Sequence, residues 1–214
     1  FSLDAPPALP MPEELTSAEA QALDDAFEGK LQIVFCSRTH SQLSQVLREI
    51  KRIPPESVPA GLAVVTLGAR TNLCINDAVL ARARGSAGHL NDLCRIATER
   101  ESVSSCKLKK TAHTVADACL TEMLDIEAMA QKGRSSLGGG CPYYGSREAV
   151  READVVLVPY ASLVNADTRR KLGIRTEGCV LIFDEAHNLL DAISDAHSVS
   201  ITVAQACATV DDLD

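Results

Sequence analysis

The chain has 214 residues, of which 46% are hydrophobic, and a formal net charge of −8. That length suits one domain with a real core, or one domain carrying an insert. No apolar run approaches the ~18 residues that span a bilayer, and Phe1-Ser-Leu-Asp-Ala-Pro-Pro lacks a basic n-region, so neither a membrane partner nor a signal peptide is expected.

The start at Phe1 rather than Met leads us to expect a piece of a longer chain. Asp4, Glu13, Glu14, Glu19, Asp24, Asp25 and Glu28 face no Lys or Arg within residues 1–29, which accounts for −7 of the −8. The rest is close to neutral, so a local basic track for phosphates is compatible with the composition. Eight cysteines without a signal peptide point to a reducing compartment, where clustered thiols more often bind metal than pair as disulfides.

Residues 1–29, opening with Ala5-Pro-Pro-Ala-Leu-Pro-Met-Pro, read as an acidic linker, because proline disfavours helix and strand. Leu31-Gln-Ile-Val-Phe-Cys36 is a strand signal that runs into Ser37-Arg-Thr-His-Ser-Gln-Leu-Ser44. Leu43, Val46, Leu47, Ile50 and Ile53 then recur at helical spacing. Ser37, Thr39 and Ser41 are candidate caps, and with Arg38 and the free N–H groups of the helix start they form a candidate phosphate clamp. Pro54-Pro55 ends that helix, and residues 62–67 form the next strand, followed by Arg70 and Cys74.

Cys74, Cys94, Cys106 and Cys141 are separated by 19, 11 and 34 residues. Spacing alone leaves two readings open: a metal site, with zinc or an iron–sulfur cluster as occupant, or scattered buried thiols. Val115, Cys119, Met123 and Ile126 make a helical stripe within residues 114–130, which puts Cys119 in the core. Lys107, Lys109 and Lys110 form either a solvated face or a DNA-facing patch. Ser135-Ser-Leu-Gly-Gly-Gly140 is expected to be a flexible return, and no Gly-Lys-Ser/Thr follows it to make a phosphate loop.

Residues 153–158 form a further strand, ending at Pro159-Tyr160-Ala-Ser-Leu-Val-Asn165. Val180-Leu-Ile-Phe183 is an apolar run that reads as a strand buried on both faces, and it stops on Asp184-Glu-Ala-His187. Carboxylates at the C-terminal end of such a strand lie where α/β proteins place ligands. A short helix over residues 188–196 and a further helix capped by Thr202 follow.

Asp184-Glu-Ala-His187 with Asn188-Leu resembles motif II of the DEAH-box, superfamily 2 helicases, and Cys36-Ser-Arg-Thr-His-Ser-Gln-Leu43 resembles motif Ia of their XPD-like iron–sulfur branch. Asn72-Leu-Cys74, Leu90-Asn-Asp-Leu-Cys94 and Gly140-Cys141-Pro-Tyr-Tyr144 resemble cluster-ligand contexts of that family. The wording is most similar to the branch linked to chromosome transmission and sister-chromatid cohesion. The resemblance implies an α/β fold: part of a RecA-like P-loop NTPase motor domain, a parallel sheet with flanking helices, with an inserted, mainly helical iron–sulfur domain. It implies motor residues 30–73 and 142–198, a cluster insert over 74–141 and the start of an Arch-type insert at 199–214.

It further implies Mg²⁺ on Asp184, water activation by Glu185 and a nucleotide-sensing His187. A [4Fe–4S] cluster on Cys74, Cys94, Cys106 and Cys141 is implied, with Cys119 the alternative third ligand. Contact with nucleic acid is implied for Ser37, Arg38, Thr39, His40, Arg70 and Tyr160. The implied activity is ATP-driven 5′→3′ translocation on single-stranded and forked DNA in the nucleus, alongside replication or cohesion proteins. No phosphate loop occurs in the chain, so a non-catalytic metal-binding, DNA-interaction module stays open as the alternative.

Overall fold

The structure, a computed structural model, describes residues 31–99, 106–135, 139–174, 176–198 and 203. The acidic linker at 1–29, the helix capped by Thr202 and nearly all of the segment at 199–214 lie outside the described residues.

Among the described residues, four parallel strands form one sheet in the order β2-β3-β1-β4. They are β1 (Gln32–Ser37), β2 (Val64–Thr66), β3 (Val155–Pro159) and β4 (Cys179–Phe183). Each is a short apolar run rich in β-branched residues, which suits strands covered by helices. Val34 of β1, Val65 of β2 and Val156 and Val158 of β3 are fully enclosed and share one apolar cluster.

β4 departs from the expectation of a strand buried on both faces. Val180, Leu181 and Ile182 are 44%, 37% and 40% exposed. The cause is position: β4 is the sheet edge and pairs only with β1 among the described residues.

α1 (His40–Arg52) opens with a complete capping box, in which Thr39 accepts from the Gln42 backbone N–H while the Gln42 side chain accepts from the Thr39 N–H. Lys51 and Arg52 sit in its last turn, favourable to the helix dipole. Leu43 and Leu47 bury its apolar stripe against Val64 and Leu157.

Among the described residues, seven helices separate β2 from β3: α2 (Arg70–Leu73), α3 (Asp77–Ala83), α4 (Ala87–Glu99), α5 (Lys107–Lys110), α6 (Ala112–Glu122), α7 (Ile126–Gly133) and α8 (Pro142–Ala149). The single helix expected over 114–130 is broken. Met123 takes a left-handed conformation at φ 49, and Asp125 starts α7 by accepting from the Ala128 N–H at 2.8 Å. Val115, Cys119 and Met129 from the middle of the expected insert lie in the same apolar cluster as Val34 and Val156. α6 and α7 therefore belong to the sheet's core packing.

The expected flexible return also differs. A Cβ on Gly140 would stand 2.0 Å from the Thr111 carbonyl oxygen, so this glycine is pressed against backbone. Residues 136–138 of that stretch are outside the described residues.

Beyond β3 come α9 (Tyr160–Val164), α10 (Ala166–Leu172), β4 and α11 (Leu189–His197). Gly173 ends α10 at φ 73, a left-handed C-cap that suits glycine. No helix among the described residues is long and apolar enough to cross a membrane.

Candidate active site and thiol cavity

The parallel register fixes the first site. Cys36 pairs with Phe183, so the next residues, Ser37 and Asp184, emerge side by side at the C-terminal edge of the sheet. The Asp184 N–H donates to the Cys36 carbonyl at 2.9 Å, and the Ser37 hydroxyl lies 3.3 Å from Asp184 Oδ2. Asp184 is half-buried. Glu185 adopts φ 53, uncommon for a residue with a side chain, and its carboxylate is directed to solvent.

The turn is tied to itself. The Asn188 backbone N–H and side-chain amide both donate to the Glu185 carbonyl, at 3.0 and 3.3 Å. His187 stands with Nδ1 3.3 Å from Glu185 Oε2 and Nε2 3.0 Å from Asn188 Nδ2. Asp184, Glu185 and His187 thus share one exposed edge.

The six candidate nucleic-acid residues fall into two places. Arg38 and Thr39 are exposed at the start of α1, and Arg38 lines a cleft of about 340 Å³ with Tyr160, Asn188, Asp191 and Asp195. His40 is half-buried beside them; burial lowers its pKa while Glu127 pulls it up, and its Nδ1 has no partner among the described residues. Arg70 lies instead at the thiol cavity. Two candidates lie below the surface. Ser37 is fully enclosed and hydrogen-bonded to Gln42 and Asp184. Tyr160 is 2% exposed, with its ring 6.2 Å from that of Phe183. Burial and the nearby Asp184 and Glu185 raise its hydroxyl pKa.

Cys74, Cys94, Cys106 and Cys141 all line a single small cavity, together with Arg70, Lys109, Tyr143 and Tyr144. Separate helix boundaries present them: Cys74 follows α2, Cys94 lies in α4, and Cys106 and Cys141 are the N-cap residues of α5 and α8. The Cys106 N–H donates to Ala97 and the Cys141 N–H to Leu108, at 2.9 and 2.8 Å, which ties α4, α5 and α8 together. Cys119 lies elsewhere, 1% exposed in the core under the sheet.

Burial pushes the Cys141 thiol up to about 11 and also raises Cys74, whose neighbours Cys94 and Cys106 add to the rise. Among the described residues, no three His, Cys, Asp or Glu side chains are placed to share one metal ion. Four of the side chains lining the cavity are nevertheless thiols.

The surroundings are cationic and aromatic. The Arg70 and Arg147 guanidiniums lie 4.1 and 3.3 Å from the Tyr143 ring centroid, and the Lys109 ammonium lies 4.9 Å from that of Tyr144. Arg147 donates to the carbonyls of Tyr143 and Gly68 at 2.7 and 3.3 Å, and burial lowers its pKa to about 10. For Arg70, burial lowers the pKa, but Tyr144, Tyr143 and Cys94 outweigh it and the net shift is upward. Sequence reasoning missed Arg147; its signal was an Arg four residues after an aromatic on one helix face.

A family model described as DEAD_2 matches residues 35–206. The chain belongs to the DEAD_2 family. The ATP-dependent DNA helicase CHL1 of Yarrowia lipolytica is 36% identical over 92% of this chain and 26% of its own length. The ATP-dependent DNA helicase DDX11 of Mus musculus is 36% identical over 87% of this chain and 22% of its own. This DEAD_2 chain therefore spans about a quarter of the length of the curated relatives it matches. A solved structure titled truncated XPD aligns with TM-score 0.47 and 17% identity over 81% of this chain and 45% of that one.

Proposed function

We propose that the chain is the DEAH-bearing, iron–sulfur-binding part of the first motor domain of an ATP-dependent DNA helicase. The observation that carries this is the parallel register that sets Asp184 and Glu185 at the C-terminal sheet edge beside the turn at Ser37–Thr39. Asp184 holds Mg²⁺, which neutralises charge on the nucleotide phosphates. Glu185, whose side chain is exposed at this edge, orients and deprotonates the attacking water, and His187 relays the nucleotide state. Arg38, Thr39 and the N–H groups at the start of α1 take backbone phosphates of single-stranded DNA.

Cys74, Cys94, Cys106 and Cys141 hold a [4Fe–4S] cluster. Four thiols on one cavity beside Arg70 and Lys109 suit a group that gathers negative charge on sulfur. The cluster, when bound, would supply a rigid cross-link between the helices that present the four thiols. We extend the proposal, on family resemblance alone, to motor residues 30–73 and 142–198 around a cluster insert, to 5′→3′ movement, to a nuclear setting and to replication or cohesion partners. The open edge of β4 is where a strand carrying a phosphate loop would pair.

The isolated chain, which has no phosphate loop, hydrolyses no ATP. In the full-length protein, Glu185→Gln lowers kcat by several orders of magnitude and leaves nucleotide binding largely intact. ATPase activity in that variant within a few-fold of wild type removes Glu185 from its role.

A further inference from the structure

Ser37 is fully enclosed, yet its hydroxyl has a choice of two acceptors: Gln42 Oε1 at 2.8 Å and Asp184 Oδ2 at 3.3 Å. A serine has one proton to give. Gln42 Oε1 already takes the Thr39 N–H at 3.1 Å and faces the Thr39 hydroxyl at 3.0 Å, so a third donor crowds an oxygen with two lone pairs. The Ser37 hydroxyl is within hydrogen-bond distance of the Asp184 carboxylate, and a hydroxyl donating to a carboxylate makes the stronger kind of bond.

We propose that Ser37 is a positioning residue for the Mg²⁺ acid, fixing the Asp184 carboxylate by a hydrogen bond for which Gln42 competes. The proposal rests on the reading of Asp184 as that acid. The competition links the cap of α1, which bears the exposed Arg38 and Thr39, to the carboxylate one strand away. Hydrogen bonds from outside the metal's own ligands typically change metal affinity or activity ~10–100-fold when removed.

The test uses the full-length protein and two readouts: Mg²⁺-dependent binding of a fluorescent ADP, and Mn²⁺ binding in the presence of ADP by electron paramagnetic resonance. Ser37→Ala raises the Mg²⁺ half-saturation about 10-fold or more. Gln42→Met removes the competing acceptor and leaves the half-saturation at or below the wild-type value. A Ser37→Ala value within about three-fold of wild type overturns the proposal, as does an equal rise in both variants, because a merely structural role of the capped turn moves both in one direction. Asp184→Asn separates the two failures. Unchanged Mg²⁺ dependence there refutes the magnesium reading and the proposal with it, whereas lost dependence there beside an unaffected Ser37→Ala refutes the proposal alone.

Discussion

Gly140→Ala tests how the fourth cysteine is held in place. A Cβ at Gly140 would meet the Thr111 oxygen at 2.0 Å and the Thr111 carbonyl carbon at 2.7 Å, both backbone atoms that no rotamer change moves aside. Real Cβ contacts stay beyond 3.0 Å, so the two segments must part by about 1 Å. That movement strains two bonds, from the Thr111 hydroxyl to the Gly139 carbonyl and from the Cys141 N–H to the Leu108 carbonyl, both at 2.8 Å. Two hydrogen bonds at about 1 kcal/mol each, with about 1–3 kcal/mol of overpacking, give a loss of roughly 3–5 kcal/mol. In a chain of this size that lowers Tm by on the order of 10 °C. Urea unfolding followed by circular dichroism reads the stability, and iron analysis reads the displacement of Cys141. Gly88 in α4 is the control, since a Cβ there meets nothing within 4 Å. Gly88→Ala is neutral or gains up to about 0.5 kcal/mol. Equal effects of the two substitutions would refute the reasoning.

Arg38→Ala in the full-length protein weakens single-strand binding about equally for all sequences and reduces the salt slope by roughly one unit, measured by fluorescence titration at several ionic strengths. Burial raises Cys36 and Cys119 to about 12 from an ordinary 9.0, so the stability that their neutral thiols contribute is complete below about pH 9 and lost as pH rises towards 12. Cys119→Ala shallows that alkaline decline in pH-dependent urea unfolding, and an unchanged slope contradicts it. Metal loading releases protons from Cys74 and Cys141, whose pKa values burial raises, so iron incorporation into the unloaded protein is more complete at pH 8.5 than at about pH 6.5.

The strands and the start of α1 were legible because their signals are local. An apolar run ending on Asp184-Glu185, and Thr39 three residues before Gln42, announce a strand end and a capping box without reference to the rest of the chain. The break between α6 and α7 was not, because the apolar stripe through Val115, Cys119, Met123 and Ile126 keeps helical period across it. Only the cap formed by Asp125 marks the stop. The exposure of β4 was also hidden, since an apolar run carries no sign of whether a neighbour pairs on its far side. The burial of Ser37 and Tyr160 was hidden too, because it is imposed by neighbours that the fold brings to them. The convergence of four cysteines spread over α2 to α8 depends on backbone contacts, such as Cys106 to Ala97, that no spacing rule encodes. Family resemblance, not periodicity, singled them out.

The four thiols of one cavity are proposed to hold an iron–sulfur cluster in a DNA helicase motor. The most direct measurement is iron and acid-labile sulfide content, with visible absorption, in protein purified without oxygen. The account predicts brown protein with about four irons per chain, lost or destabilised in each of Cys74→Ser, Cys94→Ser, Cys106→Ser and Cys141→Ser and retained in Cys119→Ser. One equivalent of zinc with no iron would contradict the account, and bleaching by Cys119→Ser with retention in Cys106→Ser would contradict the assignment of the third ligand.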